Sequence, residues 1–299
     1  FLFFNNLNSF QKINKKEKFT NLIISKSGNT LETISNANIL INRKDENIFI
    51  TENKPSYLFN LASKLKSEVV HHNNFIGGRY SVLSEVGMLP AKLMGLNPKK
   101  FRQFDNLIKD KKFLNLLIHN TGGILFFVKN KKFNSIIINY DEKSDYFFQW
   151  YQQLVAESLG KKGKGILPII STMPKDNHSV MQLYLDGFKN NFYTFFSCEE
   201  KISNKLEKKN LLLSHKYLGK YTLNEIILRQ KKATENVFSK KNIPFRSFEV
   251  KKRNEKTLGE LFCYFIFETI LLGRALNINP FDQPSVELIK TETKKQFKV

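Results

Sequence analysis

Short apolar runs alternate along this chain with longer amphipathic stretches. The apolar runs predict β-strands at residues 21–25, 47–51, 124–129, 135–140, 165–170 and 192–197. The amphipathic stretches predict helices at residues 31–41, 55–66, 81–95, 101–107, 145–159, 179–188, 223–242 and 257–276. Strands that alternate with helices in this way indicate an α/β fold, with parallel sheets covered on both faces.

The strand and helix pattern occurs twice, which predicts two α/β domains at residues 1–115 and 116–250. Residues 251–299 are expected to form C-terminal helices. A chain of 299 residues is long enough for two domains of ordinary size.

The chain carries a formal net charge of +21, from 48 basic and 27 acidic residues. A nucleic acid is one partner that such a charge could attract. The lysines are spread along the sequence, and no basic helix or aromatic-basic motif is present. We therefore favour a solvated, lysine-rich surface and expect no specific nucleic-acid partner.

The two cysteines, Cys198 and Cys263, lie in apolar surroundings without metal-ligand spacing. We expect buried free thiols in a reducing compartment, and no metal site. The longest apolar stretch contains Glu268 and is too short to span a membrane. These features predict a soluble, cytoplasmic protein with no membrane partner.

The first candidate site segment is SKSGNTLET at 25–33, which follows an apolar strand and precedes a helix. The hydroxyls of Ser25, Ser27 and Thr30 and the backbone amides could hold a dianion at the helix N-terminus, where Lys26 adds positive charge. The alternative is an ordinary helix N-cap, a common use of such residues.

The second segment is GGRYS at 77–81. Gly78 would let the backbone approach a ligand closely, and Arg79 could then offer its fork of donors. A tight turn with a surface arginine is the alternative.

The third segment is WYQQLVAESLGK at 150–161. Gln153 and Glu157 are four residues apart and share one helix face, and Gly160 is a natural C-cap. Glu157 therefore lies in the last helical turn, where the helix dipole disfavours the ionised carboxylate and raises its proton affinity. A raised proton affinity suits Glu157 to act as a general base near neutral pH. A solvated surface glutamate is the alternative.

Two further segments offer proton donors. DNHSVMQLYLDG at 176–187 places His178 beside a helix start, and His71 and His72 form a second candidate pair just before GGRYS. NPFDQPSVELIK at 279–290 places Gln283 and Lys290 around a proline-marked helix entry. A structural histidine and a surface lysine are the alternatives.

Taken together and in this order, the five segments closely resemble the phosphoglucose isomerase family. The resemblance implies two three-layer α/β/α sandwich domains of the sugar-isomerase (SIS) type, plus C-terminal helices. It implies a homodimer with its site at the domain and subunit interface. It also implies interconversion of glucose 6-phosphate and fructose 6-phosphate through an enediolate, in glycolysis and gluconeogenesis, without a cofactor.

Residue roles follow from the same resemblance. Ser25, Lys26, Ser27 and Thr30 match the family's phosphate loop, and Gly78 with Arg79 matches the segment whose arginine stabilises the enediolate. Gln153 and Gln283 match residues that line the sugar site. Glu157 matches the base that moves the proton between carbon 2 and carbon 1. His178 and Lys290 match the ring-opening pair, of which the histidine comes from the partner subunit.

One family segment, a glycine-rich stretch of the GIGGS type, is not found upstream of SKSGNT. Because the chain begins at Phe1, we expect that it lacks the first elements of its first domain, roughly 100 residues. A non-catalytic sugar-phosphate-binding regulator on the same fold is the alternative function. Such a regulator would keep SKSGNT without needing Glu157, His178 and Lys290.

Overall fold

The computed structural model describes residues 1–7, 18–42, 44–200 and 202–297. By its internal contacts the chain divides into two compact units, Phe1–Arg102 and Gln103–Val299. A helix at Lys111–Lys129 crosses the expected boundary after residue 115. The domain boundaries predicted after residues 115 and 250 therefore stay a prediction. The internal contacts divide the chain into two units, with the boundary between Arg102 and Gln103.

The first unit contains a three-stranded parallel sheet in the order β1-β2-β3. Its strands are β1 (Thr20–Ile24), β2 (Glu46–Glu52) and β3 (Glu68–His72). Its helices are α1 (Leu31–Leu40), α2 (Tyr57–Leu65), α3 (Glu85–Leu93) and α4 (Pro98–Phe101), with a 3-10 helix at Gly78–Leu83. A core cluster joins the first two strands to the first two helices, through Ile23, Ala37, Phe49, Leu58 and Ala62.

The second unit contains a four-stranded parallel sheet in the order β5-β4-β6-β7. Its strands are β4 (Asn134–Asn139), β5 (Leu167–Thr172), β6 (Asn191–Cys198) and β7 (Phe245–Val250). Its helices are α5 (Asp105–Lys109), α6 (Lys111–Lys129), α7 (Asp145–Leu159), α8 (Met181–Asp186), α9 (Leu223–Lys240), α10 (Glu255–Ala275) and α11 (Pro284–Gln296).

Helices cover both faces of the second sheet. Strand β6 is buried along its whole length, as expected of a central parallel strand. On one face Phe195 packs edge-to-face against Phe238 of α9, with ring centroids 5.2 Å apart. On the other face Phe196 packs against Phe148 of α7, at 4.9 Å. The predicted α/β fold with parallel sheets is confirmed.

The strand predicted at 124–129 is wrong, because these residues form the last turns of α6. A short apolar run cannot be assigned to strand or buried helix by its composition alone. Leu117, Thr121 and Ile124 are buried at the spacing of a helix, and the helix continues through the glycines at 122 and 123.

Other boundaries also differ. The helix predicted at 81–95 is a 3-10 helix followed by α3. The helix predicted at 101–107 is divided between the end of α4 at Phe101 and the start of α5 at Asp105. Strands β3 and β7 were not predicted, since Glu68, His71, Arg246 and Glu249 interrupt their apolar pattern. Among the helices that the structure describes, none is long and apolar enough to cross a membrane.

Candidate active site

The loop after β1 carries the predicted phosphate-binding residues. Ser25 is buried, and its hydroxyl lies 2.8 Å from that of Thr30. Thr30 is the N-cap of α1 but makes no side-chain capping bond, because its hydroxyl bonds Ser25 instead. Ser27 is exposed and accepts a hydrogen bond from the Asn29 amide at 3.3 Å. The ordinary side-chain N-cap weighed from the sequence is thus not what forms here.

Glycine is required at position 28 for two reasons. Its φ of +64° lies in the left-handed region, and a Cβ built there would lie 2.1 Å from Ser56 Oγ. The Gly28 carbonyl accepts a hydrogen bond from the Leu58 amide at 3.0 Å. The loop after β1 is therefore packed directly against the start of α2.

Lys26 connects two of the predicted segments. Its Nζ lies 3.4 Å from Glu52 Oε1 and donates to the Asn74 carbonyl at 3.0 Å. Asn74 lies between β3 and GGRYS, so Lys26 joins the loop after β1 to the loop after β3. The carboxyl ends of parallel strands meet at one sheet edge, and there the structure brings SKSGNT and the approach to GGRYS together.

Arg79 lies within the 3-10 helix at Gly78–Leu83 and is only 2% exposed. Its guanidinium carbon is 5.2 Å from the centroid of the Tyr80 ring. The surface arginine weighed from the sequence is therefore excluded. A Cβ built on Gly78 would meet no other atom within 4 Å, so the backbone at this position is open to a ligand.

Helix α7 presents Gln153 and Glu157 as predicted. Gln153 Nε2 donates to Glu157 Oε2 at 3.2 Å, which confirms their shared face. Gly160 follows as the C-cap, with its amide bonded to the Ala156 carbonyl at 2.9 Å. Glu157 lies in the last turn of α7, as the sequence indicated, and the structure shows that it is half-buried.

Lys161 was not predicted as a site residue, yet it connects two predicted segments. Its Nζ donates to the Asn279 carbonyl and lies 2.7 Å from Asp282 Oδ1. The Lys161 side chain is only 10% exposed. The loop that leads into Gln283 is therefore fixed to the end of α7 that carries Glu157. The available signal was a lysine beside Gly160, but its burial could not be read from the sequence.

His178 and Lys290 lie on separate elements of the second unit. His178 caps the 3-10 turn Lys175–Asn177, and its neighbour Asp176 anchors the turn by accepting the Thr172 amide at 2.8 Å. Lys290 lies on α11, 58% exposed, 2.6 Å from Glu287 Oε1.

The Gln283 and Lys290 segment has the predicted helix entry. Pro284 is the first residue of α11 and Gln283 is its N-cap, half-buried. Pro is favoured at this position because it lacks the amide hydrogen that a helix start cannot use.

Comparison with known proteins identifies the family. The model of the family described as phosphoglucose isomerase matches residues 5–298. The glucose-6-phosphate isomerase of Methanocaldococcus jannaschii is 34% identical over 284 residues, covering 89% of this chain and 68% of the relative. That of Mycoplasmopsis synoviae is 32% identical, covering 92% and 68%. The chain thus spans about two thirds of these relatives' length.

A solved structure supports the fold. A hypothetical protein of Thermus thermophilus superposes with a TM-score of 0.83 at 23% identity, covering 92% of this chain and 71% of that one. This likeness supports the predicted α/β fold. On the family match and the relatives together, this chain belongs to the phosphoglucose isomerase family.

Proposed function

We propose that this chain interconverts glucose 6-phosphate and fructose 6-phosphate. The observation that carries the proposal is the family match over residues 5–298, with Glu157, His178 and Lys290 at the motif positions. A regulator that only binds sugar phosphates would have no use for these three side chains, so the comparisons do not favour it.

The reaction needs a base that removes a proton from one carbon and returns it to the next. Glu157 is proposed for this step, because a half-buried carboxylate held by Gln153 is fixed in orientation and partly shielded from water. Lys161 holds the loop before Gln283 against the same helix end. This contact supports placing Gln283 near the base, where it would bind sugar hydroxyls.

The enediolate carries negative charge that must be stabilised as it forms. Arg79 is proposed for this role, because a buried guanidinium stabilises a developing negative charge more strongly than a solvated guanidinium does. The open space beside Gly78 supports an approach of substrate to this backbone.

The phosphate is proposed to bind at the loop of Ser25, Lys26, Ser27 and Thr30, at the N-terminus of α1. The Lys26 ammonium is paired with Glu52. In this role Lys26 would exchange that salt bridge for one with the substrate phosphate. Binding the phosphate far from the reacting carbons would orient them for proton transfer.

Ring opening requires donors at the ring oxygen and the carbon 1 hydroxyl, and His178 and Lys290 are proposed for it. We also propose a cytoplasmic homodimer in which His178 serves the partner's site. Helix α11 supports an interface between subunits, because it exposes Leu288 and Ile289 at 69% each.

The test is conversion of fructose 6-phosphate to glucose 6-phosphate in a coupled assay without added metal. It uses the 299-residue chain, and in parallel the chain extended by any sequence encoded upstream. We expect Glu157→Gln to lower kcat by about 10²–10⁴ fold while sugar phosphate still binds. Glu142→Gln, an exposed glutamate just before the same helix, is the matched control and should keep wild-type turnover.

Near-normal turnover in Glu157→Gln would refute the assignment of the base. Sugar-phosphate binding without turnover in both wild-type forms would establish the regulator instead.

A further inference from the structure

A buried histidine and a glutamate bracket the segment that carries Arg79. His72 is the last residue of β3, and Glu85 is the first residue of α3. The His72 side chain has no exposed surface. Its Nδ1 is hydrogen-bonded to Glu85 Oε1, and its Nε2 lies 3.1 Å from the carbonyl oxygen of Ile76. One imidazole ring thus ties both ends of the segment together.

Counting donors shows that this arrangement holds an extra proton. The Ile76 carbonyl only accepts, so Nε2 must carry a hydrogen. An ionised carboxylate also only accepts, so Nδ1 must carry one as well. Either the ring is an imidazolium or Glu85 is protonated, and in both cases the pair has one proton more than a neutral histidine beside an ionised glutamate.

Glu85 favours its ionised form. Burial raises the pKa of Glu85, but the hydrogen bond and charge of His72 outweigh it and leave that pKa below its usual value. Glu85 is also a first-turn acid of α3, where the helix dipole favours the ionised form. The His72 ring therefore faces an ionised carboxylate.

The segment has further hydrogen bonds. The Ile76 amide bonds the Asn73 carbonyl at 3.1 Å, and the Tyr80 amide bonds the Gly77 carbonyl at 2.9 Å. The hydroxyl of Ser84, the N-cap of α3, donates to the Ser81 carbonyl at 2.7 Å. The His72 ring adds a contact that joins β3, Ile76 and the first residue of α3.

Other charged groups surround the pair at greater remove. Glu52 is the register neighbour of His72 on β2, and its carboxylate is paired with Lys26 and Lys54. The elements packed around His72 carry further titratable or charged groups, which are Glu68, His71, Lys64, Arg79 and Lys92. Glu85 is the one whose carboxylate contacts the ring.

We propose that His72 and Glu85 are a positioning pair for Arg79, fixing its guanidinium where the enediolate oxygen develops. This inference rests on the proposed isomerase function.

Glu85→Gln gives the sharpest test, because a glutamine amide can donate to Nδ1 of a neutral ring. Nε2 can then still donate to Ile76, and every group is satisfied without an extra proton. We expect this variant to keep kcat within about threefold of wild type, as an isosteric partner preserves the geometry. Glu85→Ala removes the partner and should lower kcat about tenfold or more, with little change in KM.

His71→Gln is the matched control, since His71 precedes His72 on β3 and is exposed. It should keep the wild-type kcat, whereas His72→Gln should lower kcat as Glu85→Ala does. Wild-type kcat in Glu85→Ala and His72→Gln would overturn the proposal.

Nitrogen NMR of the His72 ring separates this proposal from the proposed function. Two protonated ring nitrogens near neutral pH in wild type would support the pair, and a single protonated nitrogen would overturn it. Absence of isomerase activity in wild type would instead refute the function, and the ring signals would still decide the state of the pair.

Discussion

Glu268→Gln should strongly destabilise the second unit. Arg246 of β7 and Glu268 of α10 form a two-point ion pair, with Nη2 3.0 Å from Oε2. The Glu268 side chain is 2% exposed and that of Arg246 is 15% exposed. Arg246 Nε also donates to Thr194 Oγ1 at 3.0 Å, and the Tyr264 hydroxyl donates to Glu268 Oε1 at 3.0 Å. The glutamine keeps the shape of the side chain but leaves the guanidinium charge without its counter-charge.

Removing one partner of a buried ion pair costs about 3–5 kcal/mol, because the other charge stays desolvated and uncompensated. The second unit extends from Gln103 to Val299, a size for which each kcal/mol shifts Tm by about 2–4 °C. The expected fall in Tm is therefore about 6–20 °C.

Trp150 provides the assay. It is the only tryptophan of the chain, and its ring lies 4.8 Å from that of Phe262, in the second unit. Its fluorescence during urea or thermal unfolding therefore reports this unit. Glu260→Gln is the matched control on the same helix, where the carboxylate is 3.9 Å from Lys256. This control should change stability by less than about 0.5 kcal/mol, as exposed pairs contribute little.

A loss below about 1 kcal/mol in Glu268→Gln would refute the reasoning. The double variant Arg246→Met with Glu268→Leu is a second check, since replacing both charges by apolar groups should recover most of the loss. A double variant as unstable as the single one would show that lost packing, not an unpaired charge, causes the effect.

Two further predictions concern the second unit. Lys161→Met should lower kcat/KM about tenfold to 100-fold, because it releases the loop before Gln283 from the end of α7. Lys162 is exposed, so Lys162→Met should have no effect on kcat/KM, and equal activity of the two variants would contradict this prediction. Cys198 and Cys263 should react slowly with a disulfide reagent at pH 8 in the native protein and rapidly in urea. Both thiols are buried, and burial raises the pKa of Cys263 to about 11. Rapid labelling of the native protein would contradict this burial. The contribution of the neutral Cys263 thiol to the free energy of unfolding is full below about pH 9 and is lost as pH rises towards 11.

Local sequence pattern predicted much of the second sheet correctly. The apolar runs of β4 and β6 are buried on both faces, and such strands need no information beyond their own composition. Helix α7 has the predicted bounds, Asp145–Leu159, because its apolar period is regular and Gly160 ends it. The pattern failed at residues 124–129, where a run this short fits both a strand and the last turns of a buried helix.

The order of five motifs was enough to predict the family, which the match over residues 5–298 confirms. Motifs are short and contiguous, so the sequence records them in full. The shared face of Gln153 and Glu157 was predicted for the same reason, because residues four apart on a helix are neighbours. The roles of the individual site residues stay predictions.

Tertiary structure alone decided which charged side chains are buried and what neutralises them. Strand β7 escaped prediction because Arg246 reads as a surface residue, and its partner Glu268 is 22 positions away. Lys161 finds Asp282 across 121 positions, and His72 finds Glu85 across the segment that it holds. A buried charge is tolerated only beside its counter-charge, and the sequence does not state which distant residues the fold brings together.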